Sequence, residues 1–112
     1  MTAAGGKLTV EVEGFKPLRS NTLFGFATVV IPELHLRIVD LTVHQKNDSR
    51  WVGLPAKPQI DRDGNVRKDE RGKTIYSPVL EFTDKKTREA FSNRVIESLL
   101  EFAPAAFETE DA

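Results

Sequence analysis

Residues 22–44 read TLFGFATVVIPELHLRIVDLTVH, and this stretch decides the fold. Its first part, residues 22–31, is rich in β-branched and aromatic side chains, which describes a strand buried on much of both faces. Pro32-Glu33 makes a short turn, and residues 34–44 resume as a second strand. Leu34, Leu36 and Ile38 fall on one side of it, Val39, Leu41 and Val43 on the other. A switch of the apolar side near Ile38-Val39 predicts a β-bulge or a sharp twist. The connection is too short for a parallel crossover, so the two strands form an antiparallel hairpin.

Upstream, residues 8–15 alternate Leu8, Val10 and Val12 with Thr9, Glu11 and Glu13, a strand with one wet face that Pro17 and Ser20-Asn21 break. Downstream, residues 45–49 are a polar turn, and Trp51-Val-Gly-Leu54 is a short strand ended by Pro55. Residues 57–74 are predicted to be a charged loop, mobile or at most a flimsy ribbon, with turn signals at Asp63-Gly64 and Arg71-Gly72. Residues 75–82 (IYSPVLEF) suit a last strand or extended segment, with Pro78 placing it at an edge. A helix follows, N-capped by Thr83 or Asp84 and ended by Pro104. Its apolar stripe is Phe91, Val95, Leu99 and Phe102, widened by Ile96 and Leu100. Strands followed by a helix predict an α+β fold, an antiparallel sheet of four to five strands with one long C-terminal helix packed on it. The chain reads as one domain without internal repeats, with a folded core over residues 7–103. Residues 1–6 and 104–112 are expected to be flexible, with Phe107 able to dock.

Of the 112 residues, 39% are hydrophobic and 29% charged, which excludes wholesale disorder. The absence of cysteine excludes a disulfide framework and thiolate chemistry, and fits a reducing compartment. The N-terminus lacks the pattern of a signal peptide and no apolar run is long enough to span a membrane, so a cytoplasmic protein is expected. The net charge of −1 is unevenly spread: residues 1–56 carry +1, residues 57–94 carry +3 and residues 95–112 carry −5.

No catalytic, metal or cofactor site is legible. His35 and His44 lie on opposite faces of one predicted strand, too far apart to share a metal, and Asp40 is too distant from His44 to orient it. In Asp61-Arg-Asp63-Gly64-Asn65 the glycine is fourth rather than sixth and position twelve is Gly72, so this is a turn and not a calcium loop. The acidic pairs Asp69-Glu70 and Glu110-Asp111 sit in polar stretches where nothing raises a pKa. What remains is basic: Lys57, Arg62, Arg67, Lys68, Arg71 and Lys73 along the charged loop, then Lys85, Lys86 and Arg88 in the first helical turn. The default explanation of such charges is solvation. Cations at a helix N-terminus nevertheless oppose the macrodipole, and bare N–H groups beside three bases describe a phosphate site.

The order of motifs resembles the SpoVG (septation regulator) family of small bacterial nucleic-acid-binding proteins. A long hairpin (LFGFATVVIPELHLRIVDLTV), a short aromatic strand entering a proline-lysine turn (RWVGLPAKP), a charged Asp-Gly loop, an extended segment (IYSPVLEF) and a helix (TREAFSNRVIESLL) carry the resemblance over residues 22–100. It implies a sheet with a packed helix, a homodimer, and DNA or RNA binding through bases at the Pro-Lys turn. Lys57 stands at the family's Lys position, whereas Pro58 replaces the Arg that follows it. Arg62, Arg67, Lys68 and Arg71 are candidates to replace that contact, and where the family has an Arg after the loop Tyr76 is able to stack on a base. The expected function is that of a nucleic-acid-binding regulator of transcription or septation, not an enzyme, without cofactor or metal. The alternative is a protein-interaction adaptor for cell division or of phage origin, and an enzyme of unknown class comes third. A dimer joined through sheet edges or the Trp51 region is also expected on physical grounds, because one helix covers one sheet face and Phe24, Phe26 or Leu41 would leave an apolar patch on the other.

Overall fold

A computed structural model of the chain describes residues 8–108. The expected flexibility of residues 1–6 and of residues 109–112 therefore concerns positions outside the described residues. Four strands, β1 (Glu11–Ser20), β2 (Leu23–Ile31), β3 (Leu36–Lys46) and β4 (Ser49–Gly53), form an antiparallel sheet in the order β1-β2-β3-β4. Two short strands, β5 (Ala56–Pro58) and β6 (Tyr76–Pro78), pair in a second sheet, and helix α1 spans Lys85–Phe102. The fold is α+β, with α1 packed against both outer strands of the four-stranded sheet.

Two-residue turns join β1 to β2 and β3 to β4. Asn21 and Asn47 take the left-handed conformation there, with φ of 54° and 56°, which asparagine tolerates better than most residues. Strand β1 continues through Pro17, where the sequence predicts a break. It is an edge strand, so a residue without an N–H forfeits no ladder bond on its outer side.

Bulges shape the sheet. Between the pairs Ala27↔Leu41 and Val29↔Ile38, β2 advances two residues while β3 uses three, and Asp40 sits at φ 61°. This is the bulge predicted near Ile38-Val39. It returns Ile38 to the face of Leu41 and Val43, all buried, and leaves Val39 exposed. A second bulge at Phe24, between Leu23↔His44 and Gly25↔Val43, turns Phe24 to the face of Ala27. Phe24 and Leu41 thereby join the core with Val12, Val29, Phe91, Val95 and Leu99. Of the three residues expected to form an apolar patch on the uncovered face, only Phe26 stays out of the core; it lies opposite Lys16, which pairs with Asp40.

Helix α1 is capped by Asp84, whose carboxylate accepts from the Thr87 N–H at 2.8 Å. Phe91, Val95, Ile96 and Leu99 are buried as the stripe predicts, but Phe102 at the helix end is 49% exposed. Its expected place is taken by Phe107, which folds back after Pro104 to lie 5.5 Å from Phe24, ring to ring. Two helix serines fasten the sheet edges. The Ser98 hydroxyl accepts from the Val12 N–H of β1 at 2.9 Å, and the Ser92 hydroxyl from the Val52 N–H of β4 at 3.0 Å. Each outer strand thus has one part-buried donor satisfied by the element that covers the core.

Candidate nucleic-acid interface

The sequence predicts a charged loop over residues 57–74, at most a flimsy ribbon; the structure holds a hydrogen-bonded ribbon. Residues 59, 67 and 75, eight apart, close a ring of backbone hydrogen bonds. Gln59 N–H donates to Ile75 O at 2.8 Å, Ile75 N–H to Arg67 O at 3.0 Å, and Arg67 N–H to Gln59 O at 2.9 Å. Three hairpin arms leave this ring: the β5–β6 pair and two tight turns.

The two turns repeat each other. Asp61 Oδ1 accepts from the N–H groups of Asp63 and Asn65, both at 2.9 Å, and Gly64 takes φ 85°. Eight residues later Asp69 Oδ1 accepts from the N–H groups of Arg71 and Lys73 at 2.8 and 3.0 Å, and Gly72 takes φ 82°. A carboxylate that satisfies two backbone donors is a turn-forming group, and both aspartates take that role here. The repeat, missed in the sequence reading, shows there as Asp-x-x-Gly at 61–64 and again at 69–72.

The predicted basic residues divide by location. Lys57 lies on β5 opposite Ser77, and Arg62 and Arg71 occupy the two turns. Lys68 bridges Thr74 across the ribbon. Arg67 is partly structural: its guanidinium donates to Gln59 Oε1 at 2.9 Å, and Gln59 in turn donates to Ser77. All six ribbon cations, Lys73 included, are exposed, and among the described residues none of them forms an ion pair.

Lys85, Lys86 and Arg88 do lie in the first turn of α1, where the N–H groups of Thr87 and Arg88 are already held by Asp84. The Asp84 carboxylate holds the Thr87 N–H and hydroxyl, which keeps its own pKa below the usual aspartate value. Lys85 lies 4.0 Å from Glu89. The Asp84 cap thus takes up part of the donor set at this helix end, beside the charge of the three bases. Arg88 lines an open cleft shared with Trp51, Leu54 and Pro78, so the helix end and the base of the ribbon border one depression.

His35 leaves the strand altogether: it closes the 3-10 turn Pro32–Leu34 at φ 50°. His44 stacks on Trp51 at 5.4 Å, its Nδ1 2.9 Å from the Thr22 hydroxyl, and partial burial lowers its pKa. Among the described residues no group of three His, Asp or Glu side chains is placed to hold a metal, and no helix is long and apolar enough to cross a membrane. No family model, no curated protein and no solved structure matches the chain.

Proposed function

We propose that this chain is a nucleic-acid-binding regulatory protein whose contact surface is the ribbon of residues 56–78 together with the N-terminal turn of α1. One observation carries the reading. Six cations stand on a hydrogen-bonded ribbon with no carboxylate partner among the described residues, while Asp61 and Asp69 turn their carboxylates inward to backbone donors. Local stability gains little from cations left without ion pairs, whereas a polyanion exploits them by releasing its counterions. The motif order that resembles the SpoVG family supports the same reading, and with it come a bacterial cytoplasmic setting, a homodimer and the absence of catalysis. Fluorescence anisotropy of a labelled oligonucleotide, titrated with the chain across a salt series, tests it. Binding that weakens linearly in log affinity against log salt is the expected result, and no binding at about 50 mM salt overturns the proposal.

The protein-interaction reading has an observation of its own. Leu8, Leu34, Leu36 and Leu80 border an apolar groove floored by Ile38 and Phe91, beside Ala90 of α1. This groove, and not the open sheet face, is where a homodimer or an adaptor contact would form. Light scattering of the wild type beside Leu36→Glu decides whether self-association uses it.

A further inference from the structure

Cations account for only part of the ribbon, because apolar side chains are interleaved with them. Opposed residues of a ladder share a face and successive residues alternate. Pro58 opposes Tyr76, Ile60 opposes Val66, and Lys68 opposes Thr74, which places these side chains on one face. Lys57 and Ser77, with Gln59, occupy the other. On the first face Tyr76 is 58% exposed, Ile60 55% and Val66 41%. The ribbon is built by its ring of backbone hydrogen bonds and its two aspartate turns, and polar side chains at these three positions would serve that scaffold as well.

We propose that this face is a stacking platform for the unpaired bases of single-stranded nucleic acid, with Tyr76 as its principal base contact; the proposal rests on the nucleic-acid reading above. The charges around the face select the occupant. A protein segment or a second copy docked on Tyr76, Ile60 and Val66 would bring an apolar surface against Lys68 on that face and toward Arg62 and Arg71 in the two turns, leaving those cations without partners. A duplex supplies phosphates for the cations but keeps its base faces stacked inside the helix. A single strand presents both, a phosphate backbone for the cations and free base faces for the aromatic ring.

The test is anisotropy with the full chain, using oligo-dT of about 20 nucleotides and a duplex of equal length at about 50 mM salt. The wild type is expected to bind the single strand more tightly. Tyr76→Ala should weaken that binding about tenfold and leave duplex affinity unchanged, while Tyr76→Phe, which keeps the ring, should stay within about twofold. Circular dichroism melts verify that both variants fold. Loss on both nucleic acids alike, or on neither, overturns the stacking platform while duplex binding keeps the nucleic-acid reading alive. A wild type that binds neither overturns both. A wild-type dimer that Tyr76→Ala converts to a monomer also overturns the proposal, by giving the face to a second copy.

Discussion

Replacing Lys57, Arg62 and Arg71 together by alanine isolates the electrostatic contribution of the ribbon. All three side chains are exposed, and none of them makes a hydrogen bond or ion pair among the described residues. Arg67 is left in place because it holds Gln59. Unfolding free energy should therefore shift by no more than about 0.5 kcal/mol per site. Binding should respond through counterion release. Each phosphate contact contributes about 0.9 to the slope of log affinity against log salt on duplex DNA and about 0.7 on a single strand. Loss of three contacts flattens the slope by about 2.7 or about 2.1 respectively. Raising salt from about 50 to about 200 mM would then narrow the gap between wild type and variant about 40-fold on duplex, or about 20-fold on single strands. Anisotropy titrations at four or five salt concentrations measure this directly. Lys16→Ala, which removes a cation paired with Asp40 on the sheet face, serves as control and should leave the slope alone. A triple variant with the wild-type slope refutes the assignment of these residues to the contact surface, even if its affinity is lower.

Other consequences concern the scaffold. Gly25→Ala would place a Cβ 2.5 Å from Lys16 O and 2.7 Å from the Phe15 ring, at φ 158°, so the β1–β2 pairing must shift; urea titration should show a loss of about 2 kcal/mol or more. Ser92→Ala and Ser98→Ala each orphan one strand N–H, Val52 in the first case and Val12 in the second, and each should cost about 1–2 kcal/mol in the same assay. Burial lowers the pKa of His44 in the folded chain, so the unfolded state takes up the proton first. Its contribution is therefore intact above the ordinary value of 6.5 and is lost as pH falls below it. His44→Gln should flatten the dependence of unfolding free energy on pH between about 7 and 5, by at most about 1.4 kcal/mol per pH unit. An unchanged profile would mean that other groups set the acid response.

The four strands of the main sheet and the helix, with its cap narrowed to Thr83 or Asp84, were legible in the sequence because each depends on near neighbours: alternation, turn residues and a helical stripe. The bulge at Asp40 was legible for the same reason, since it leaves a mark on the apolar pattern of a single strand. The bulge at Phe24 was not. In residues 22–31 nearly every side chain is apolar, so a change of face leaves no trace, and Phe24 was assigned to the wrong side. Phe102 and Phe107 exchanged roles because the fold-back after Pro104 brings Phe107 onto Phe24, 83 positions earlier. Charge density disguised the ribbon. Its order comes from backbone hydrogen bonds among residues 59, 67 and 75 and from two aspartates, while the sequence reading weighed apolar content. The basic positions were all foreseeable by type, but the paired turns and the two-faced ribbon that arrange them emerge only from the pairing.

The separation of roles in the chain follows from these constraints. No residue of the ribbon belongs to the buried core, which draws on the four-stranded sheet, α1 and Phe107. The ribbon folds on its own hydrogen bonds and meets the rest of the molecule through Leu54-Pro55 and residues 79–84. Substitutions on its surface can therefore alter a contact without altering the fold, which is where a binding surface is least costly to maintain. Charge is segregated along the same division. Residues 57–94 carry +3 and residues 95–112 carry −5, so the sequence that follows the first turns of α1 is strongly acidic. A polyanion approaching such a chain is repelled from one region and drawn to the other, and its encounter is biased toward the ribbon before any specific contact forms. Cations in the first turn of α1 are unfavourable for that helix alone, and one of them, Arg88, lines the cleft at the base of the ribbon. The proposed nucleic-acid reading accounts for a charge arrangement that local helix stability opposes.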